Sequence, residues 1–276
     1  MKKAIPILCV SIVLVGLSVV LYPFVSDYFH SKGQSQAVAS YLGEVAGMDD
    51  GKVGLLDMAH EYNEALMYNN DRFTFTQRET EQYRELLNTG RGVMGVLTIE
   101  KIGVNLPIYH GTDEGILQIG VGHIQGSSLP VGGPGTHSLL IGHRGLPSST
   151  LLSDLNKMAE GDIFTLRVLD ETLAYMVDSI QVVEPHDVRP LNIDPGMDYC
   201  TLVTCTPYGV NSHRLLVRGH RTENVGSRPG GTDSLGTKPL DIVAVIWIFV
   251  VLISPTSIVY DLIKRKKQAK GAKGND

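Results

Sequence analysis

Between residues 93 and 219 the chain is cut into short β-branched runs, each ended by Gly, Pro or Asp. The runs fall at 93–99, 104–109, 137–142, 162–168, 172–185, 199–205 and 214–219. Val, Ile and Thr pack well on a pleated, half-buried surface, and close turn signals between such runs mark strand ends. The pattern predicts a mainly β protein, a single barrel with short helical insertions. Leu151–Met158 is the best candidate for a helix inside it, stopped by Gly161-Asp162. No internal repeat is present.

Ahead of the barrel, Leu55, Met58, Ala59, Tyr62 and Leu66 recur at helical spacing, with Asp57 to Glu64 supplying a wet face. Residues 77–88 read as a second short, charged helix whose stripe is Tyr83, Leu86 and Leu87. Between the two lies Tyr68–Phe75, a segment of poor helix propensity. Residues 26–50 are polar, with Gly and Ser, and read as a stalk.

Both ends carry apolar stretches. Lys2-Lys3 precede an uncharged run from Ala4 to Leu21, long enough to cross a bilayer as a helix. A cleaved signal peptide shares the basic start and apolar centre, but no small-x-small site follows the run, which favours an uncleaved anchor over residues 1–25. Beyond Arg221 a Gly-, Ser- and Pro-rich linker occupies 226–240, a second apolar stretch 241–263, and a basic tail 264–276. A core helix is the other reading of Ile242–Tyr260, but the linker before it and the cations after it disfavour that. Cations tend to stay on the cytoplasmic side. The expected arrangement is two transmembrane helices with both termini in the cytoplasm, residues 93–225 outside, and the lipid bilayer as a partner.

The formal net charge of −5 offers no basic face for a nucleic acid. Three cysteines are too few for a disulfide framework. Cys200 and Cys205 are five apart in an apparent strand, so their side chains point to opposite faces and Cys205 is left free. No cluster has the spacing of a zinc or calcium site, so neither a metal nor another cofactor is expected.

The chemistry centres on Thr201-Leu-Val-Thr-Cys205, a short strand broken by Pro207-Tyr-Gly209 and answered by a return strand that Arg214 opens. A thiol at a strand mouth beside a permanent cation suits a nucleophile, because the thiolate is the reactive form. A buried Cys acting as a small hydrophobe is the other reading. His143, in Ile141-Gly-His-Arg-Gly145, can shuttle protons near neutral pH. Arg218 shares the strand face of Arg214, so periodicity alone leaves two candidate guanidiniums.

Thr201-Leu-Val-Thr-Cys205 followed by Arg214 resembles the TLxTC signature and downstream Arg of sortases, the membrane-anchored cysteine transpeptidases of Gram-positive bacteria. The longer stretches Cys205–Gly219 and His137–Pro147 resemble class C sortases, the pilin polymerases. The resemblance implies an eight-stranded sortase-type β-barrel, with His143, Cys205 and Arg214 as the catalytic residues. It also implies a lid over the active site at residues 68–75. There Asp71-Arg72-Phe73 is similar to the class C Asp-Pro-aromatic motif, with Arg in place of the Pro that would stiffen the plug. A surface loop with Phe73 or Phe75 packed on the domain is the alternative. The implied partners are pilin proteins with LPxTG-like C-terminal sorting signals, cut between Thr and Gly and passed to a Lys amine of the next pilin. A housekeeping sortase, attaching surface proteins to a cell-wall precursor, is the nearest alternative. A papain-like thiol hydrolase has the opposite Cys-before-His order.

Overall fold

In the computed structural model the β-branched runs pair into one closed barrel of eight strands. They are β1 (Val93–Ile99), β2 (Val104–His110), β3 (Val121–His123), β4 (Thr136–Ile141), β5 (Ile163–Val168), β6 (Glu171–Val183), β7 (Asp198–Thr206) and β8 (His213–Thr222). Around the barrel the order is β1-β2-β3-β4-β7-β8-β6-β5. Two contacts are parallel, β2 with β3 and β4 with β7, and the others are antiparallel. The structure describes residues 4–48, 51–69, 71–146 and 149–223. The chain divides into two compact units, residues 29–235 and residues 1–28 with 236–276. The predicted linker from residue 226, the second apolar stretch and the basic tail lie outside the described residues, as do the side chains that open the first apolar run. Among the described residues no helix is long and apolar enough to cross a membrane.

Alternation along each strand sorts the core. On β7, Cys200, Leu202 and Thr204 are fully buried, and Cys200 and Leu202 join Leu215 and Val217 of β8 in the hydrophobic cluster. Phe164 and Tyr175 stack inside the same cluster, 5.5 Å between ring centres. Thr201, Val203 and Cys205 therefore share the opposite, outer face of β7.

Three elements differ from what the residue pattern predicts. The strand β3 carries no readable alternation, because it is three residues long and Gly122 is its centre. A side chain at 122 would meet the Gly111 carbonyl, so close backbone approach overrides strand propensity there. Leu151–Met158 is not a helix but turns ending in a 3-10 turn, Leu155–Lys157. Its Leu151, Leu152, Leu155 and Met158 are buried as their spacing requires, yet the Leu152 N–H donates to the His143 carbonyl rather than along a helix. Residues 26–46, read as a stalk, belong to one long helix, α1 (Ala4–Ala46). Val38, Tyr41 and Val45 form a buried stripe at helical spacing within the barrel's hydrophobic cluster.

The helices that follow are α2 (Gly51–Met67), α3 (Gln77–Glu85) and α4 (Glu114–Ile119). A capping box of Thr76 and Glu79 starts α3 and satisfies its first N–H groups. Asn63, which lies within the predicted wet face of α2, is instead buried. Its side chain donates to the Leu129 carbonyl at 3.1 Å and accepts from the Leu129 N–H at 2.6 Å. Together α1 and α2 grip the β5–β6 turn. Leu169 sits there at φ 51, a left-handed conformation that disfavours a leucine. The Tyr41 hydroxyl accepts its N–H at 2.7 Å and donates to the Met94 carbonyl at 3.1 Å, and Lys52 pairs with Asp170 at 2.6 Å. Tyr41→Phe keeps the ring but leaves the buried Leu169 N–H without its acceptor. It should cost about 1–3 kcal/mol, read as a lower urea midpoint at unchanged m-value.

Candidate active site

Strand pairing alone gathers the three sequence-predicted residues. In the parallel β4–β7 ladder Ile141 is level with Val203, and the Gly142 N–H donates to the Val203 carbonyl at 3.1 Å. The Thr204 hydroxyl donates to the Gly142 carbonyl at 2.8 Å. The next residue on each chain is His143 and Cys205, so the two residues come at the ends of adjacent strands. On the other side of β7, Cys205 is directly opposite Arg214 of β8. Neighbouring strands lie roughly 4.8 Å apart, so Cys205 stands at the centre of three adjacent strand ends with His143 and Arg214 on its flanks. Gly142 is required by close packing, since an added Cβ would fall 2.8 Å from Leu152.

Cys205 is a free thiol, half-buried, whereas Cys200 is fully buried. Burial pushes the Cys200 thiol well above its ordinary range, as does the nearby Asp198, which leaves it the inert one of the two. The two guanidiniums differ in their partners. Arg218 is bound to Asp178 at 2.9 and 3.3 Å and lies over the Tyr199 ring, 4.2 Å from its centre. It pairs with Thr201, four residues from Cys205, about 13 Å along the strand. Arg214 has no carboxylate partner among the described residues and bonds only backbone, with Nη1 3.2 Å from the Asn211 carbonyl and 3.1 Å from that of His213. It is the guanidinium left with donors for a substrate or an oxyanion.

One neighbour of the site gave no sequence signal. His143 Nε2 is 3.3 Å from each carboxylate oxygen of Glu114. An exposed acid on a short turn looks like ordinary surface until the fold sets it beside the ring. Arg144 braces the same region, its guanidinium reaching the Ser153 carbonyl and the Thr206 hydroxyl, each at 3.2 Å.

The other family-like histidines are structural. His123 is fully buried, accepting from the Tyr83 hydroxyl at 2.8 Å and donating to the Ser128 carbonyl at 2.9 Å. His137 donates to the Asn192 carbonyl at 2.8 Å and accepts from the Thr201 hydroxyl at 2.8 Å. Burial keeps both rings neutral, and these partners satisfy both nitrogens of each. The Thr201 bond tethers the β6–β7 loop onto the strand that bears Cys205. His213, at the mouth of β8, is exposed and bonds Ser212.

The lid-like segment lies as a turn, Asp71–Phe73. Its middle residue holds it down: Arg72 Nη2 donates to the Leu191 carbonyl in the β6–β7 loop at 2.7 Å, and its guanidinium stacks 4.8 Å from the Phe73 ring centre. Arg72 and Phe73 also lie against Gly126 in the β3–β4 loop. Asp71 is exposed, and no hydrogen bond or ion pair joins it to His143, Cys205 or Arg214. Phe73 is 38% exposed.

Known proteins share this fold. Residues 97–222 match the Sortase domain family. Sortase C1 of Streptococcus agalactiae is 49% identical, with a TM-score of 0.67 over 69% of this chain and 100% of that one. The chain belongs to the sortase family. Sortase C of Streptococcus pneumoniae is 43% identical, with a TM-score of 0.62 over 68% of this chain and 97% of the other. Among curated relatives, sortase D of Bacillus subtilis is 28% identical over 130 residues, and the match spans 63% of that protein's length and 46% of this chain. These two solved neighbours are class C sortases.

The two neutral histidines predict an acid limit. Burial is the main cause that holds His123 and His137 down to about 4, against an ordinary value near 6.5. Between these values the unfolded chain binds protons that the folded chain does not, so stability falls as pH drops from about 6.5 to 4 and is fully present above that window. Urea titrations across this range should show the loss, and replacing His137 by Gln should shrink it.

Proposed function

We propose that this sortase is a class C transpeptidase. It cleaves an LPxTG-like sorting signal between Thr and Gly, and it joins the Thr carbonyl to a Lys amine of another pilin subunit. The observation that carries the reading is the central place of Cys205, level with His143 on one side and with Arg214 on the other. The likeness to sortase C1 of Streptococcus agalactiae and to the Streptococcus pneumoniae sortase C, described with its pilin substrate specificity, supports the substrate class.

The steps follow from the groups. Cys205 gives its thiol proton to His143 as Sγ attacks the Thr carbonyl carbon, and the tetrahedral oxyanion accepts hydrogen bonds from Arg214. His143 delivers a proton to the Gly nitrogen as the C–N bond breaks, leaving a thioester on Cys205. The Lys amine then attacks that thioester and gives its proton to His143, which passes it to the departing sulfur, so the thiol is restored as the isopeptide bond forms. The barrel stands outside the cell membrane, with the runs Ala4–Leu21 and Ile242–Tyr260 as its anchors and both termini in the cytoplasm.

The detergent-solubilised chain, mixed with a pilin bearing its sorting signal, should give SDS-resistant ladders that Cys205→Ala, His143→Ala and Arg214→Ala each abolish or reduce at least 100-fold, roughly the loss of one oxyanion donor. A normal ladder from Arg214→Ala would move the role to Arg218. Cleavage without a ladder, rescued only by a peptidoglycan-like amine, would assign the housekeeping role instead.

Asp71–Phe73 acts as a lid that Arg72 holds against the β6–β7 loop. Replacing Asp71 and Phe73 together by Ala should speed alkylation of Cys205 by iodoacetamide. An unchanged rate would leave the segment a plain surface turn.

A further inference from the structure

Arg214 bonds only backbone carbonyls, whereas the His143 ring has a single side-chain partner among the described residues. Its Nε2 lies 3.3 Å from both carboxylate oxygens of Glu114, and among the described residues nothing else hydrogen-bonds the ring. The carboxylate is itself held. Gln118, one turn along α4, donates to Glu114 Oε1 at 3.3 Å. Buried Leu117 anchors α4, and the chain leads from it directly into β3, which pairs with β4, the strand that ends two residues before His143. Glu114 and His143 therefore hang from neighbouring strands of one barrel.

We propose that Glu114 is the positioning residue of His143, accepting the Nε2–H and so leaving Nδ1 as the nitrogen that exchanges protons at the thioester. A neutral imidazole carries one ring proton, and the hydrogen bond made by one nitrogen determines the role of the other. An imidazole free to rotate would present either nitrogen, or neither, to the leaving amine. The Glu114 carboxyl is held below the ordinary range, first by the Gln118 hydrogen bond and then by attraction to His143, so it is an acceptor at neutral pH. With the Glu114 side chain 68% exposed, water competes for it and the effect is moderate. The inference rests on His143 being the proton shuttle of the proposed transpeptidation.

The test follows transfer of a quenched LPxTG-like peptide to a soluble amine by the full chain, comparing Glu114→Ala, Glu114→Gln and His143→Ala. Glu114→Ala should lower kcat about 2- to 5-fold at unchanged KM and unchanged melting temperature, the size expected of an exposed pair. Glu114→Gln keeps an oxygen for the Nε2–H and should retain most of the parent rate. A parental kcat in Glu114→Ala, a change in KM alone, or a Gln variant as slow as the Ala variant overturns the positioning role while His143→Ala is inactive. Normal turnover by His143→Ala overturns the shuttle reading itself, and the positioning role with it.

Discussion

The parallel ladder between β4 and β7, closed at its end by the Thr204 hydroxyl on the Gly142 carbonyl, is the contact on which the site depends. Parallel strands cannot be joined by a tight turn, so nothing local holds residues 143 and 205 together. Their level is determined only by this ladder and by the barrel that keeps the two strands adjacent. Once it is in place, the antiparallel return of β8 brings Arg214 to the third position without any further device. The two threonines of the motif have distinct tasks. Thr204 locks the strand to the chain that bears His143, and Thr201 tethers the β6–β7 loop through His137.

The segment ahead of the barrel is fastened by buried polar contacts as well as by apolar packing. Asn63 grips Leu129, the Tyr62 hydroxyl meets the Gly126 N–H at 3.3 Å, and Arg72 reaches Leu191. Leu129 and Gly126 lie in the β3–β4 loop, and Leu191 in the β6–β7 loop. The helices are thus built into the two loops that flank the outer face of β7, and their loss would loosen the site even though none of their residues belongs to it. Buried groups satisfied in this way favour one arrangement over many, because any shift leaves a donor or acceptor unpaired.

Much of this was legible in the residues. Strands announce themselves through branched side chains and turn signals, and seven of the eight are found at nearly their full extent. Cys205 and Arg214 could be placed face to face because one hairpin joins them, while His143 needed the likeness to a family, since its partner strand lies some sixty residues on and no local pattern reports such pairing. What stayed hidden was decided by tertiary contact. The β3 strand exists because two backbones meet at Gly122, Leu151–Met158 gives up its helix to seat Leu152 over Gly142, and Asn63 is polar on a buried face because Leu129 needs both of its backbone groups paired. The residues of α1 carried a helical stripe at Val38, Tyr41 and Val45, masked by the Gly and Ser between them.

The alternation of β7 also limits how the gene can drift in length. Side chains change face at every residue, so one codon inserted or deleted between Leu202 and Cys205 would turn the thiol onto the interior face that Cys200 and Leu202 share. The loop of Pro207 to Asn211 is under no such limit, because it lies beyond the last ladder pair and is open to water. Descendants of this chain are free to vary there in length and composition, a few residues from a thiol whose own strand tolerates no change of spacing.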